Sequence, residues 1–238
     1  MIHIAIINES TVLTDDQVAP AVAALQYQIS NHFAPHWGLT AAVRLITSPS
    51  VALPTYWQLA ILDNSDQADA LGYHDVTATG QPLGKVFAKS DIDSGSSWTN
   101  TLSHEALEIL GDPDINLSAW VDNADGSATL YAYELCDPCE ADTLGYMHNG
   151  ILLSDFVLPA YFQTSNTSGP YDFLKRISKP LEILKDGYLS TFDIAAGGQW
   201  KQITGRLVTL PQNVEAPKGS RRERRQRRGA WQSSQVGQ

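Results

Sequence analysis

The order of apolar and polar residues predicts an alternation of strands and helices in the first half of the chain. An apolar run at 2–8 is typical of a buried strand. Thr14 and Gln17 have the spacing of a capping box, and apolar residues then recur at steps of three or four over 18–33. This pattern predicts a helix that begins after Thr14 and ends near Pro35. Further strands are predicted at 39–46, 57–62 and 84–88.

Residues 103–114 read SHEALEILGDPD and carry the most specific chemical pattern in the sequence. In a helix, His104 and Glu108 stand one turn apart on the same face, and Glu105 lies about a hundred degrees round the axis. A hydrolytic zinc site needs two ligands at this spacing and a carboxylate beside them that takes a proton from water. The alternative is an ordinary buried helix whose glutamates form its solvated side.

The string HExxExxGxxD resembles the active-site helix of the zincin metallopeptidases, which carries HExxH, and more narrowly the metzincin form HExxHxxGxxH or HExxHxxGxxD. The resemblance implies that His104 and Asp114 are zinc ligands, that Glu105 is the general base, and that Gly111 turns the chain. Glu108 stands where the family has its second histidine. Because a carboxylate ligand adds negative charge, the bound ion is expected to acidify water less strongly.

The third ligand has two candidates in the sequence. Asp112 lies eight residues after His104 and still faces broadly the same side if the helix continues that far. Asp114 needs the turn that Gly111 and Pro113 would supply. Either residue would complete a site for one zinc ion.

The resemblance implies an α+β fold over residues 1–215, with a twisted mixed sheet, a backing helix, an active-site helix and a loop-rich C-terminal half. The predicted order of one strand, one helix, three strands and the motif helix agrees with the N-terminal half of zincin domains. Similar alternation also occurs in unrelated α/β folds. In zincins the edge strand before the active helix binds extended substrate by adding a strand, so residues 80–88 are expected to line the cleft.

Four further residues are candidates for binding substrate or supporting the metal ligands. His74 precedes the expected edge strand, and Glu134 is a candidate because gluzincin relatives take their third ligand from a distant glutamate. Tyr146 and Met147 resemble, loosely, the methionine turn that metzincins place beneath the metal. The alternatives are an ordinary loop histidine at position 74 and a simple hairpin around 146–150.

The only two cysteines form the motif Cys136-Asp137-Pro138-Cys139. This spacing occurs in thioredoxin-type redox pairs, but turn signals follow too soon for the long helix which that fold requires. Half of a zinc knuckle, a local disulfide and simple core packing remain open as alternatives.

Charge is segregated along the chain, which has a net charge of −10. Residues 218–238 hold seven of the 16 basic residues and one of the 26 acidic ones, so the remainder carries −16. With few apolar residues, 216–238 are predicted to be a disordered basic tail. Its expected partners are nucleic acid, an acidic protein surface or the acidic body of another copy. The arginines are Arg221, Arg222, Arg224, Arg225, Arg227 and Arg228.

Two functions are consistent with these patterns. The first is a metal-dependent peptidase acting on peptide or protein substrates through zinc-activated water. The alternative is a catalytically inactive structural or virion-associated assembly protein on the same scaffold, with the arginine-rich tail as its binding device. The sequence shows neither a signal peptide nor an apolar run long enough to span a membrane, which predicts a cytoplasmic or virion-associated protein.

Overall fold

The computed structural model describes residues 1–47, 55–67, 70–166, 168–194 and 200–205, and these form a mixed α+β structure. The helices are α1 (Asp15–Tyr27), α2 (Ala34–Trp37), α3 (Ala88–Ser94) and α4 (Trp98–Gly111). The strands are β1 (Ile2–Asn8), β2 (Ala41–Ile46), β3 (Trp57–Leu62), β4 (Gly72–Val76), β5 (Pro82–Phe87), β6 (Ser118–Asp122), β7 (Ala128–Ala132), β8 (Tyr146–His148), β9 (Ile151–Leu153), β10 (Tyr188–Asp193) and β11 (Trp200–Thr204).

The main sheet has the strand order β2-β1-β3-β5-β4. Strands β1, β2, β3 and β5 pair in parallel, and β4 pairs antiparallel with β5. Ile4 and Ile6 of β1 belong to the same buried cluster as Leu25 of α1 and Leu107 of α4. Helix α1 packs against β2 and β1, and helix α4 packs against β5, β4 and β3, so the two helices cover different strands of this sheet.

Helix α1 begins as its sequence predicts. Thr14 is the N-cap, and its side chain and that of Gln17 form the reciprocal bonds of a capping box. The helical path continues through a π-helical segment, Gln28–Phe33, and ends with α2, where Gly38 adopts a left-handed conformation with φ of 68°. The predicted stop at Pro35 is therefore two residues short of the end of α2 at Trp37.

The sheet corrects one expectation about the substrate cleft. Residues 80–88 were expected to form the edge, but β5 lies inside the sheet between β3 and β4. The terminal strand on this side of the sheet is β4, with the polar sequence Gly-Tyr-His-Asp-Val. This short strand lacks a clear apolar alternation, so its sequence does not distinguish it from a loop.

The second half of the described chain consists of short strands and turns. Strands β6, β7, β10 and β11 form an antiparallel sheet, and β8 and β9 form a separate hairpin. Among the described residues, no helix combines the length and apolar character needed to cross a bilayer. The six arginines from Arg221 to Arg228 lie outside the described residues, so the predicted tail and its partners remain predictions.

Candidate metal centre

Helix α4 carries three of the candidate site residues and is held firmly against the rest of the protein. Its apolar side chains, including Leu107, belong to the core beneath the sheet. The hydroxyl of Thr99 donates to the carbonyl of Leu152 at 2.8 Å. Ser103 Oγ accepts the backbone N–H of Ser154 at 2.6 Å. These contacts fix the helix against β9 and the segment that follows it, so its polar side chains project from a rigid support.

Two glycines, one in β4 and one in β5, allow α4 to lie close to these two strands. A Cβ atom at Gly84 would lie 2.8 Å from Cδ1 of Ile109, and one at Gly72 would lie 2.8 Å from Oε1 of Glu105. Gly84 is the antiparallel partner of His74, and directly opposed residues point to the same face. The imidazole of His74 therefore points toward α4.

The first group of donors is His104, Glu108 and Asp137. His104 Nε2 lies 3.1 Å from Glu108 Oε1 and 3.2 Å from Asp137 Oδ1. The ligand atoms of the group all lie within 4.8 Å of one another. Asp137 reaches the helix from a short 3-10 turn, Asp137–Cys139, and the backbone N–H of Cys136 donates to Glu108 Oε1 at 3.4 Å. All three side chains are buried.

The second group is His74, Glu105 and Glu108. His74 Nδ1 lies 3.3 Å from Glu108 Oε2 and 3.6 Å from Glu105 Oε2. The other ring nitrogen, Nε2, lies 3.7 Å from Glu134 Oε2. All four side chains are buried. Glu108 thus belongs to both groups, with a different carboxylate oxygen in each.

The electrostatic surroundings of His104 are strongly negative. Burial disfavours the charged imidazolium, yet the carboxylates of Glu108 and Asp137 outweigh that effect and raise the pKa of His104 well above its ordinary value. A single ion buried without an adequate partner reduces the stability of a folded protein by several kcal/mol. A site of this composition is suited to a positive charge, supplied either by a proton on His104 or by a bound cation.

The two aspartates expected as third ligands occupy other positions. Asp112 is the C-cap of α4, and its buried carboxylate accepts the backbone N–H groups of Asn116 at 2.9 Å and Leu117 at 3.2 Å. It therefore supports the turn after the helix. Asp114 is exposed, and within the described chain neither aspartate belongs to a group of potential metal ligands.

The remaining sequence candidates divide between the site and the hairpin. His74 and Glu134 lie in the cluster, as described above. Tyr146 is on β8, where its hydroxyl contacts Nδ1 of His32 at 2.7 Å. Met147 on the same strand is 62% exposed, so its side chain is not packed beneath a buried site.

The cysteines are free thiols in the core. Cys136 and Cys139 are both fully buried, and burial raises the pKa of each thiol well above its ordinary value. Thiol reactivity depends on the thiolate, so these surroundings suppress it. Among the alternatives for this motif, core packing has the strongest support.

Asp137 is the member of the cluster that sequence reasoning missed. It stands between the two cysteines, where the CxxC pattern directs attention to sulfur chemistry. One feature of the sequence could have indicated it. An acidic residue between two cysteines, which are usually buried, is itself expected to be buried, and a buried carboxylate needs a partner. Only the fold shows that the partner is His104.

No protein-family model, no curated protein and no solved structure matches this chain in sequence or fold comparisons.

Proposed function

We propose that this protein is a metal-dependent hydrolase of the zincin kind that cleaves peptide bonds, with His104, Glu108 and Asp137 as the metal ligands. The observation that carries the proposal is the convergence of His104 Nε2, Glu108 Oε1 and Asp137 Oδ1, with separations of 3.1 and 3.2 Å from the imidazole nitrogen. This ligand set retains two of the residues that the motif indicates and replaces Asp112 or Asp114 with Asp137.

The separations suit a zinc ion. Zinc binds imidazole nitrogen and carboxylate oxygen at about 2.0–2.2 Å, and at tetrahedral angles such ligands lie about 3.3–3.6 Å apart. The distances from His104 to its two neighbours are 3.1 and 3.2 Å, just below this range, so a small outward adjustment of the side chains would admit the ion. One zinc ion would also offset the two carboxylate charges directly.

Glu105 is placed for a different role from the three ligands. It lies on the side of α4 that faces β4, where the absence of a side chain at Gly72 leaves room for its carboxylate. β4 is the terminal strand of the sheet, and an extended peptide that added a strand there would run past Glu105. The antiparallel terminal strand beside the motif helix is also consistent with the zincin resemblance.

The residues would divide the reaction as follows. His104, Glu108 and Asp137 would hold a zinc ion, which when bound would supply a Lewis acid for polarising the scissile carbonyl and acidifying water. Glu105 takes the proton from the attacking water and later delivers it to the leaving amine. The backbone of β4 orients the peptide, and the buried walls exclude other water. Because Glu108 and Asp137 are both anionic, they reduce the acidifying power of the ion and increase the dependence on Glu105.

The test combines metal content with hydrolysis. Full-length protein is dialysed extensively, its zinc is quantified by plasma mass spectrometry, and it is incubated with a peptide library. We expect about one tightly held zinc per chain, and Glu105→Gln is expected to keep that zinc and lose hydrolysis. Glu9→Gln, at an exposed glutamate, is the matched control.

Three results would count against the proposal. Full hydrolysis by Glu105→Gln would remove Glu105 from the mechanism, and a folded wild type that takes up no zinc would remove the metal site. Zinc binding without cleavage of any peptide would favour the alternative function, a structural or assembly protein in which the ion holds the fold together.

A further inference from the structure

Glu108 lies between two sets of donors and presents a different oxygen to each. Its Oε1 is 3.1 Å from His104 Nε2, and its Oε2 is 3.3 Å from His74 Nδ1. We propose that the protein holds a second divalent transition-metal ion between His74, Glu105 and Glu108, with the Glu108 carboxylate bridging the two ions. The second site rests on the proposed function in one respect, since the ion proposed at His104 is the first ion of the pair.

The donors of the second set are close enough to share an ion. His74 Nδ1 lies 3.3 Å from Glu108 Oε2 and 3.6 Å from Glu105 Oε2, and the chosen ligand atoms all lie within 4.8 Å of one another. Carboxylate-bridged pairs in hydrolases hold their ions about 3.5–4 Å apart. One carboxylate with an oxygen in each group is the ligand that such a pair requires.

The orientation of the His74 ring supports Nδ1 as the ligating atom. The opposite nitrogen, Nε2, faces Oε2 of Glu134 at 3.7 Å. Metal-bound histidines commonly direct their second nitrogen at a carboxylate, which fixes the proton on that side and leaves the lone pair on the metal side. The separation of 3.7 Å is just beyond hydrogen-bond range, so a small closure on metal binding would make Glu134 a positioning residue for His74.

A second observation places Glu105 in this site. The carboxylate of Glu105 approaches β4 so closely that a Cβ at Gly72 would lie 2.8 Å from its Oε1. Gly72 and His74 are two residues apart on one strand and so point to the same face. The strand thus provides both the space for one ligand and the other ligand itself.

The charge of the cluster also favours two ions. Glu105, Glu108, Glu134 and Asp137 are buried together with two imidazoles, whose neutral form is the one that binds metal. Two divalent cations would match the formal charge of four ionised carboxylates, whereas a single ion would match half of it.

Occupation of the second site has a consequence for activity. An oxygen of Glu105 that ligates the second ion no longer accepts a proton from water. Hydrolysis is therefore expected to rise as the first equivalent of zinc binds and to fall as the second one binds. Zinc concentration would in this way set the fraction of active enzyme.

The experiment is a calorimetric titration of metal-stripped full-length protein with zinc alone, with peptide hydrolysis followed over the same range. We expect two equivalents in the wild type, of which the second binds more weakly and is lost on extensive dialysis, and one in His74→Gln, which should also lose the inhibitory phase. Glu134→Gln keeps every ligand and should weaken only the second equivalent, by about 10–100-fold. His36→Gln, at an exposed histidine, is the matched control and should bind two.

The outcomes separate the second ion from the proposed function. A single equivalent in both the wild type and His74→Gln overturns the second site and leaves the first intact, whereas no equivalent in the wild type overturns both. Two equivalents that persist in His74→Gln also overturn it. If His74→Gln fails to fold, Glu134→Gln decides, since unchanged binding there contradicts the site. With manganese, an exchange-coupled paramagnetic resonance spectrum supports the Glu108 bridge, and two uncoupled signals contradict it.

Discussion

The imidazole of His74 lies 3.3 Å from the carboxylate of Glu108 and thereby joins the terminal strand of the main sheet to helix α4. Both side chains are fully buried. The contact belongs to a buried polar cluster that includes Glu105 and Glu134, and such groups are retained only where partners satisfy them. The distance between strand and helix therefore governs the geometry of the whole cluster.

Asp137→Asn tests the identity of the third ligand. The substitution keeps the size of the side chain and removes the charge that faces His104. Because a primary ligand is weakened, we expect zinc affinity to fall by at least about 100-fold, the upper end of what the loss of a supporting partner costs. The measurement is competition with a fluorescent zinc chelator.

Asp114→Asn is the control for this substitution, since Asp114 is exposed and outside the cluster. Its zinc affinity should equal that of the wild type. The reverse pattern would be weakened zinc binding in Asp114→Asn and unchanged zinc binding in Asp137→Asn. It would return the third ligand to the position that the motif indicates. Thermal melting of both variants establishes that they are folded.

Gly72→Ala tests the space reserved for Glu105. The new methyl group would lie 2.6 Å from Cγ2 of Thr101 and 2.8 Å from Oε1 of Glu105, so β4 and α4 must separate. Overpacking of this kind typically costs about 1–3 kcal/mol. We expect a lower free energy of unfolding, measured with urea, together with a loss of hydrolysis.

A second substitution separates the two clashes. Thr101→Ser removes the methyl group and keeps the hydroxyl that donates to Asp91 at 2.9 Å. Added to Gly72→Ala, it should restore part of the stability while hydrolysis stays low, because the contact with Glu105 remains. Full recovery of hydrolysis in the double variant would show that Glu105 is not displaced.

The thiols of Cys136 and Cys139 should be unreactive in the folded protein. Both are fully buried, and burial keeps them protonated. We expect no modification by a thiol-specific reagent under native conditions and two modified thiols per chain in denaturant. Rapid native labelling, or a disulfide that forms under mild oxidants, would instead support the redox interpretation of the CxxC motif.

Asp155 should make stability depend on pH. Burial and the neighbouring Asp172 raise its pKa to about 8, while backbone N–H groups such as that of Phe156 oppose the shift. In the unfolded chain this carboxyl releases its proton near the ordinary pKa of 3.8, whereas in the folded protein it keeps the proton until about pH 8. The free energy of unfolding therefore falls as the pH rises from 3.8 toward 8.

Asp155→Asn removes this dependence and retains an oxygen for the backbone bonds. Relative to the wild type, the variant should gain stability between pH 5 and pH 8, on the order of 3 kcal/mol. Urea unfolding at the two pH values measures the change, with Asp114→Asn as the exposed control. An equal effect at both pH values would mean that the raised pKa does not contribute.

Much of the first half of the fold follows from local sequence. The capping box at Thr14 fixes the start of α1, and the apolar runs correspond to strands β1, β2, β3 and β5. These features depend on neighbouring residues along the chain, which a pattern records directly. The start of α4 at Trp98, well before the motif, is a boundary that its sequence marks only weakly.

The candidate site could be predicted only in part. His104, Glu105 and Glu108 are related by helical spacing, so the motif alone places them together. His74 and Asp137 reach the cluster through strand pairing and a turn far along the chain, and no periodicity encodes such contacts. His74 also sits on a strand too short and too polar to be recognised.

A single helix, α4, carries three donors of the cluster: His104, Glu105 and Glu108. Hydrogen bonds of Thr99 and Ser103 hold this helix against residues 152–154 of the same chain. Any displacement of α4 moves all three donors as one body. The site should therefore be lost in a single step: as the temperature rises, release of bound metal and detachment of α4 are expected to coincide in one cooperative event, with no stage at which donors leave one at a time.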